Sequence, residues 1–501
     1  MEPTPRTVAE HVERVLALVT PLPADEVTLA RLVDRGSGTA MPGEVAASTE
    51  APVLAQDVYA VGSVPAFDHS AMDGYAVRSE DLPLTGDPVT LQVVADIPAA
   101  ATEPRDLAPG TAARIMTGAP LPPGADAVVP VERTSTGRFD PVAGSRPRAA
   151  APGQAETERR PAGDTVTLGR EPRDHIRLRG SDIAAGSVLA RAGRELTAPV
   201  VAALAAAGVT RVGVRRRPRV AVVATGSELV PSGSPARPGQ ITDSNSLMLA
   251  AAARAAGADV VRLGPVPDDA DALRTVLDEA VGHVREPGRA AGRSTATGPP
   301  ADTSRRGSGQ VARAIDLVVT AGGVSAGAAD VVRAVLSAGT TGPAQGGGGR
   351  ARTESDPDRA GAEPDGDRRA WDGAVSGVDL AAVGMKPGRP QALARWRGTP
   401  WIAVPGTPVA AYVSFVMFVR PAIHRLRGLP HPVPELRPAA AGWKSPRGRE
   451  QVVPVRVLPQ GVAPTGDGHH LSALLAADAL AVVAAGVEKV EPGDPVPVIQ
   501  L

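Results

Sequence analysis

Cysteine is absent from all 501 residues. The chain therefore has no disulfide frame, thiol nucleophile or cysteine-ligated zinc, and it suits a reducing compartment. Aromatic residues amount to 2%, so the cores have to be built from Val, Leu, Ala and Ile. An excess of either charge is missing too. With 53 basic and 54 acidic residues the formal charge is −1, which gives no overall pull toward nucleic acid or an anionic membrane. No GxxxxGK[ST] loop occurs and no GxGxxG follows a strand, which argues against ordinary nucleoside-triphosphatase and dinucleotide folds. The eight histidines form no HExxH pattern; His69 and the pair His469-His470 read as loop residues. The N-terminal "MEPTPRTVAEHVERVLALV" lacks a basic-then-apolar leader pattern. The uncharged stretch 401–419 is interrupted by Pro405, Gly406 and Pro408, which predicts a buried strand, a turn and a helix rather than a membrane span. A cytoplasmic protein is expected.

What is present is patterned. Hydrophobic content of 43% supports folded domains, roughly three or four on the length prior. Thr7 and Glu10 form a candidate capping box, followed by Val8, Val12, Val15 and Val19 at helical spacing. That helix needs another domain to cover its stripe. Residues 50–213 read as short strands and turns closed by Gly and Pro, giving a β-rich N-terminal region of two subdomains over 1–213. From Arg219 strands alternate with helices: "RVAVVATGSELV", a helix from about Asp243 or Ser244, "ADVVRL", "DDADALRTVLDEAV", "IDLVVTAGG" and "PWIAVPG". This predicts an α/β domain over 214–429 with a doubly wound, mostly parallel sheet. Residues 430–501, Pro-punctuated and Val-rich, predict a small C-terminal β-domain. Segments 134–165, 284–313 and 340–374 are too poor in apolar residues to offset chain ordering, and are expected to be disordered.

In an open parallel sheet ligands bind beyond the carboxyl ends of the strands. Three strands end in glycine-bearing loops there: "TGSEL" (225–229), "GGVSAGAAD" (322–330) and "PGTPVAA" (405–411). Glycine lets backbone approach a ligand, and the following helices aim N–H groups at an anion. "GMKPGRP" (384–390) adds Lys386 and Arg389. Any one such loop occurs wherever an α/β chain turns, and Glu228, Asp330, Lys386 and Arg389 taken singly read as solvated. Their convergence on one sheet edge suits a phosphorylated, metal-bridged ligand.

In this order "PAFDHSAMDGYAV" (65–77), "RIMTGAPLPPGADAVVPVE", "RGSDI", "ATGSELV", "GGVSAGAAD", "KPGRP" and "PGTPVAAYVSF" resemble the molybdopterin molybdenumtransferase family, which includes the bacterial enzyme of molybdenum cofactor synthesis and the gephyrin E domain. The likeness covers nearly the whole chain apart from the three segments above and a smaller one near 36–50. It implies a homodimer that takes adenylylated molybdopterin and molybdate, places molybdenum on the dithiolene and releases AMP with Mg²⁺. It also implies contact with the molybdopterin adenylyltransferase. The active cleft would lie between the α/β domain of one subunit and the SAMDGYAV-bearing domain of the other.

By the same resemblance Asp73, Thr117, Asp182 and Lys386 are the catalytic set, and Asp68 shapes a turn. Gly226, Ser227, Gly322, Gly323, Ser325, Arg389, Pro405 and Gly406 hold cofactor or substrate. Glu228 and Asp330 hold the metal. The chain departs from the family at Thr407 (commonly Asn), Ala410, Ala326, Ala328, Ala329, Ala381, Ala382 and Arg389 (commonly Lys). Arginine's planar guanidinium is not equivalent to an ammonium. The alternative implied by these departures is a divergent paralogue that carries molybdopterin without efficient turnover.

Overall fold

Thr7 opens the first helix, α1 (Val8–Leu18): its hydroxyl accepts from the Glu10 N–H, and the Glu10 carboxylate accepts from the Thr7 N–H. The expected capping box is thus closed on both sides. The computed structural model describes residues 5–34, 51–84, 87–101, 103–138, 158–159, 164–171, 174–282, 314–325, 330–338, 373–466 and 468–501.

The N-terminal region contains β1 (Ala24–Thr28), β2 (Val53–Leu54), β3 (Gly74–Val77), β4 (Val89–Ile97), β5 (Thr111–Ile115), β6 (Ala127–Pro130), β7 (Thr165–Leu168), α2 (Ala198–Ala206) and β8 (Arg211–Arg215). One sheet runs β7-β4-β5-β3-β6 and a smaller one β1-β8-β2. Three sequence expectations need correction. Helix α2 falls in a stretch read as strands and turns; its Ala-rich run offers no apolar period, yet alanine is the best helix former. Parts of the segment expected to be disordered over 134–165 are ordered. Thr134–Gly137 make a turn, Glu158–Arg159 pair with β4 and Thr165 begins β7. Ala374, inside the expected 340–374 segment, is buried in the core. The rest of the three segments lies outside the described residues, as do 36–50.

The α/β unit comprises β9 (Arg219–Thr225), α3 (Asn245–Ala255), β10 (Asp259–Val266), α4 (Ala270–Ala280), β11 (Leu317–Ala321), α5 (Val331–Ala338), β12 (Val375–Ala382), β13 (Met385–Lys386), β14 (Pro390–Trp396), β15 (Thr399–Val404), α6 (Pro408–Ser414) and α7 (Arg420–Arg427). Its sheet runs β10-β9-β11-β15-β14-β12. The pairings from β10 to β15 are parallel and the last two antiparallel. Side chains alternate across it as a two-faced sheet requires. Val220 and Val222 join one core with α1, α3, α6 and α7, while Ala221 and Val223 join another with α4 and α5.

A π-helical stretch, Phe415–Val419, links α6 to α7. The resulting run Pro408–Arg427 is long and apolar enough to cross a membrane, but 72% of its most apolar 18 residues are buried inside the protein. It is a core helix. Val8, Val15 and Val19 of α1 and its C-cap pack on this run, each buried valine contributing roughly 1.5–3 kcal/mol.

The C-terminal strands β16 (Glu435–Pro438), β17 (Glu450–Leu458), β18 (Ala479–Val483) and β19 (Pro495–Gln500) form a sheet of order β13-β17-β18-β19-β16. Strand β13 therefore carries Lys386 out of the α/β unit and into the C-terminal sheet, opposite Gln451.

Candidate functional site

The chain passes from β9 to β10 on one side and then to β11 on the other, which makes the β9/β11 edge a topological switch point. A cleft of about 650 Å³ opens there. Gly226 and Glu228 after β9, Gly323 and Ser325 after β11, and Gly406 and Thr407 after β15 line it. The loops meet backbone to backbone. A Cβ on Gly322, at φ +103°, would lie 2.5 Å from the Thr225 carbonyl oxygen, and one on Gly406 would lie 3.2 Å from the Gly322 Cα. Glycine is what lets the three loops close into one wall.

Helix α3 starts at the same cleft. Asp243, 4% exposed, accepts from the Ser246 N–H at 2.9 Å and from the Ser246 hydroxyl, so a carboxylate already fills that helix start. Asn245 donates through Nδ2 to the Gly406 carbonyl at 2.5 Å, fixing the loop after β15 to α3. Thr407 is the N-cap of α6, but its side chain makes no cap bond, and it lines the cleft. The C-terminal unit contributes His469 to the lining.

The Lys386–Pro390 loop lies beside the cleft, with Pro387, Gly388 and Pro390 in its wall. Lys386 and Arg389 are half-buried and are not among the lining residues. Gln391, 1% exposed, holds the loop by donating to the Gly388 carbonyl at 2.8 Å and the Ser414 hydroxyl at 2.7 Å. Ala382 sits on β12 opposite Pro390; Ala326, Ala328 and Ala329 lie outside the described residues.

A second cluster sits at the start of β3. Asp73 Oδ1 accepts from both the Thr117 N–H at 2.6 Å and the Thr117 hydroxyl at 2.8 Å. Both residues are exposed. Asp68 accepts from the Arg179 N–H at 2.6 Å, which ties the SAMDGYAV stretch to the RGSDI loop. Asp182 is exposed on that loop, its N–H donating to the Val64 carbonyl at 3.1 Å. Gly74 is dictated by packing: a Cβ there would fall 2.2 Å from the Val129 carbonyl oxygen of the paired strand.

Of the sequence-selected residues, Gly226, Glu228, Gly322, Gly323, Ser325, Asp330, Pro405 and Gly406 come together in the cleft. Ser227 does not. Its N–H donates to Asp268 at 3.0 Å and its hydroxyl accepts the Asp268 N–H at 2.9 Å, a clasp between two loops. Within one chain Asp73, Thr117 and Asp182 lie outside the cleft lining. Sequence reasoning missed Asp243, Asn245, Asp268 and His469. The first two follow directly on a strand-like "QIT" at a helix start, a signal that could have placed them at the strand-end edge. Among the described residues no three acidic or histidine groups converge as a ready metal site.

Comparison with known proteins gives a consistent family. The description "MoeA N-terminal region (domain I and II)" matches residues 6–208, "Probable molybdopterin binding domain" 221–285, and "MoeA C-terminal region (domain IV)" 437–501. Molybdopterin molybdenumtransferase 2 of Mycobacterium tuberculosis is 38% identical over 403 residues, 80% of this chain and 79% of that protein. Molybdopterin molybdenumtransferase of Bacillus subtilis is 30% identical over 384 residues, 76% and 70% of the two chains. The crystal structure of a molybdopterin biosynthesis moeA protein from Pyrococcus horikoshii superposes with TM-score 0.67 at 20% identity, covering 99% of this chain and 100% of that one. That likeness establishes the fold.

Proposed function

The chain belongs to the molybdopterin molybdenumtransferase family, and on that premise we propose that its cleft receives adenylylated molybdopterin and molybdate, placing molybdenum on the dithiolene and releasing AMP. The enzyme is a transferase of molybdenum cofactor biosynthesis. The observation that carries the finer reading is the cleft at the β9/β11 switch point, walled by glycine loops and flanked by the Lys386–Pro390 loop. Phosphates and molybdate are anions, and backbone N–H groups of fixed loops together with nearby cations stabilise them.

Mg²⁺ fits this donor set. The ion ordinarily takes one or two carboxylates together with substrate phosphates and retained waters, and Glu228 and Asp330 both line the cleft. These two residues would hold it. When bound, it would neutralise charge on the phosphoanhydride. Lys386 and Arg389 draw molybdate or phosphate to the mouth, and Ser325 donates to an oxyanion. Thr407, with its hydroxyl not spent on capping, offers a further donor.

Asp73, Thr117 and Asp182 join the reaction from a second subunit. Two features support a homodimer: their position outside the cleft of their own chain, and the exposed apolar Phe67, Met72 and Leu178 around them. Asp73, held in place by Thr117, is the group that reaches the substrate, and Asp68 supports the loop carrying Asp182. A cytoplasmic enzyme that takes its reactive anhydride by contact with the adenylyltransferase completes the proposal.

The test incubates purified protein with adenylylated molybdopterin, molybdate and Mg²⁺, following AMP release and active cofactor together. Coupled appearance of both products is expected. Tight binding of the anhydride with no product would overturn the enzymatic reading, and no binding would overturn the assignment of the cleft.

A further inference from the structure

We propose that Asn245 is a specificity-determining residue, accepting a hydrogen bond from the amino edge of the pterin ring. The proposal rests on the cleft's reading as the molybdopterin site. A carbonyl oxygen can only accept, so the part of the Asn245 amide facing Gly406 O at 2.5 Å has to be its NH₂ group. That leaves Oδ1 as the remaining polar atom of the side chain, and Oδ1 is shielded from solvent and accepts no hydrogen bond among the described residues. The residue is 7% exposed and lines the cleft. A buried acceptor without a donor is costly and uncommon. The cleft's occupant is the natural source of the missing donor.

The neighbouring groups say which part of the ligand supplies it. The start of α3 would attract an anion were it open, but the Asp243 carboxylate already takes the Ser246 N–H and hydroxyl. Two residues lining this end of the cleft, Asp243 and Asn245, thus carry acceptor oxygens, and the Asp243 carboxylate disfavours phosphate there. The adenylylated substrate carries donors at its two ends, the 2-amino and ring N–H groups of the pterin and the amino and hydroxyl groups of the adenosine, and the flat 2-amino edge is the one assigned to Asn245. The phosphate end is then directed away from α3. A residue serving only to clamp the Gly406 loop would need Nδ2 alone; Oδ1 is the part a clamp leaves unused.

The test titrates the full-length protein with two fluorescent ligands, 6-hydroxymethylpterin phosphate and the matching lumazine, which carries an oxo group where the pterin carries its amino group. Wild type is expected to prefer the pterin about tenfold, the scale of a lost buried hydrogen bond. Asn245→Ala, checked for an unchanged fold by its melting profile, should bind the two alike. Equal affinities in wild type overturn the proposal without any variant. A preference that survives in folded Asn245→Ala also overturns it. If neither ligand binds wild type, the cleft is not a pterin site and the functional reading falls as well.

Discussion

Asp73 and Gly74 adjoin in the chain and answer to different demands. Asp73 is exposed, and its carboxylate is held by Thr117 through two hydrogen bonds. Replacing it by alanine removes a surface interaction of about 1 kcal/mol, a small shift in melting temperature. If it acts on the substrate, AMP release falls by about 10²–10³-fold, the scale of one lost transition-state contact. Parallel loss of stability and activity would instead make it a turn residue. Gly74 has the reverse profile. The methyl of Gly74→Ala would press into the Val129 carbonyl oxygen, forcing β3 and β6 apart. A loss of about 1–3 kcal/mol is expected in urea unfolding, as for other overpacked sites.

At the scale of elements, the seam between α1 and α7 sets an acid limit on stability. His11 on α1 is fully buried, edge-on to Phe418 at 4.6 Å. Burial, with Arg6 alongside, lowers its pKa from 6.5 to about 4, against the opposing pull of Asp379. The unfolded chain takes up that proton near pH 6.5 while the folded chain resists it. The contribution is therefore complete above 6.5 and is lost as pH falls toward 4. At pH 5 the loss is about 2 kcal/mol for this one group. His424 on α7, whose burial and the nearby Arg420 lower its pKa to about 4, acts in the same direction. Denaturant midpoints at pH 7 and pH 5 should differ clearly in wild type and less in His11→Leu. An equal drop in both proteins would remove His11 from the account.

The same seam shows what sequence patterns can and cannot reveal. The capping box of Thr7 and Glu10 and the valine stripe of α1 were legible because their interactions are local and periodic. So was the alternation of strands and helices after Arg219. Helix α2 was not, since an Ala-rich run carries no period. Nor was the pairing of Lys386 with Gln451 across two units, which depends on tertiary approach. The glycine loops of the cleft announced themselves by strand-end position. Asn245 and His469 did not: their place is set by contacts with chain more than 150 positions away or by a different sheet. Ser227 looked like a ligand contact because it follows Gly226; its tie to Asp268 is invisible in one dimension.

At the scale of the whole molecule, two groups of polar residues stand apart in one chain, the cleft of the α/β unit and the Asp73 cluster on the N-terminal sheets. If a twofold axis joins them, sedimentation velocity at micromolar concentration should show a dimer. The most direct measurement mixes two inactive proteins, Asp73→Ala and Glu228→Ala, under conditions of subunit exchange, and follows AMP release. If each site takes Asp73 from one subunit and Glu228 from the other, half the dimers are mixed and each holds one intact site. About a quarter of wild-type activity should return, as the symmetry of an isologous pair requires. Mixed dimers, verified by differential tags, that remain as inactive as their parents would contradict a site shared between subunits.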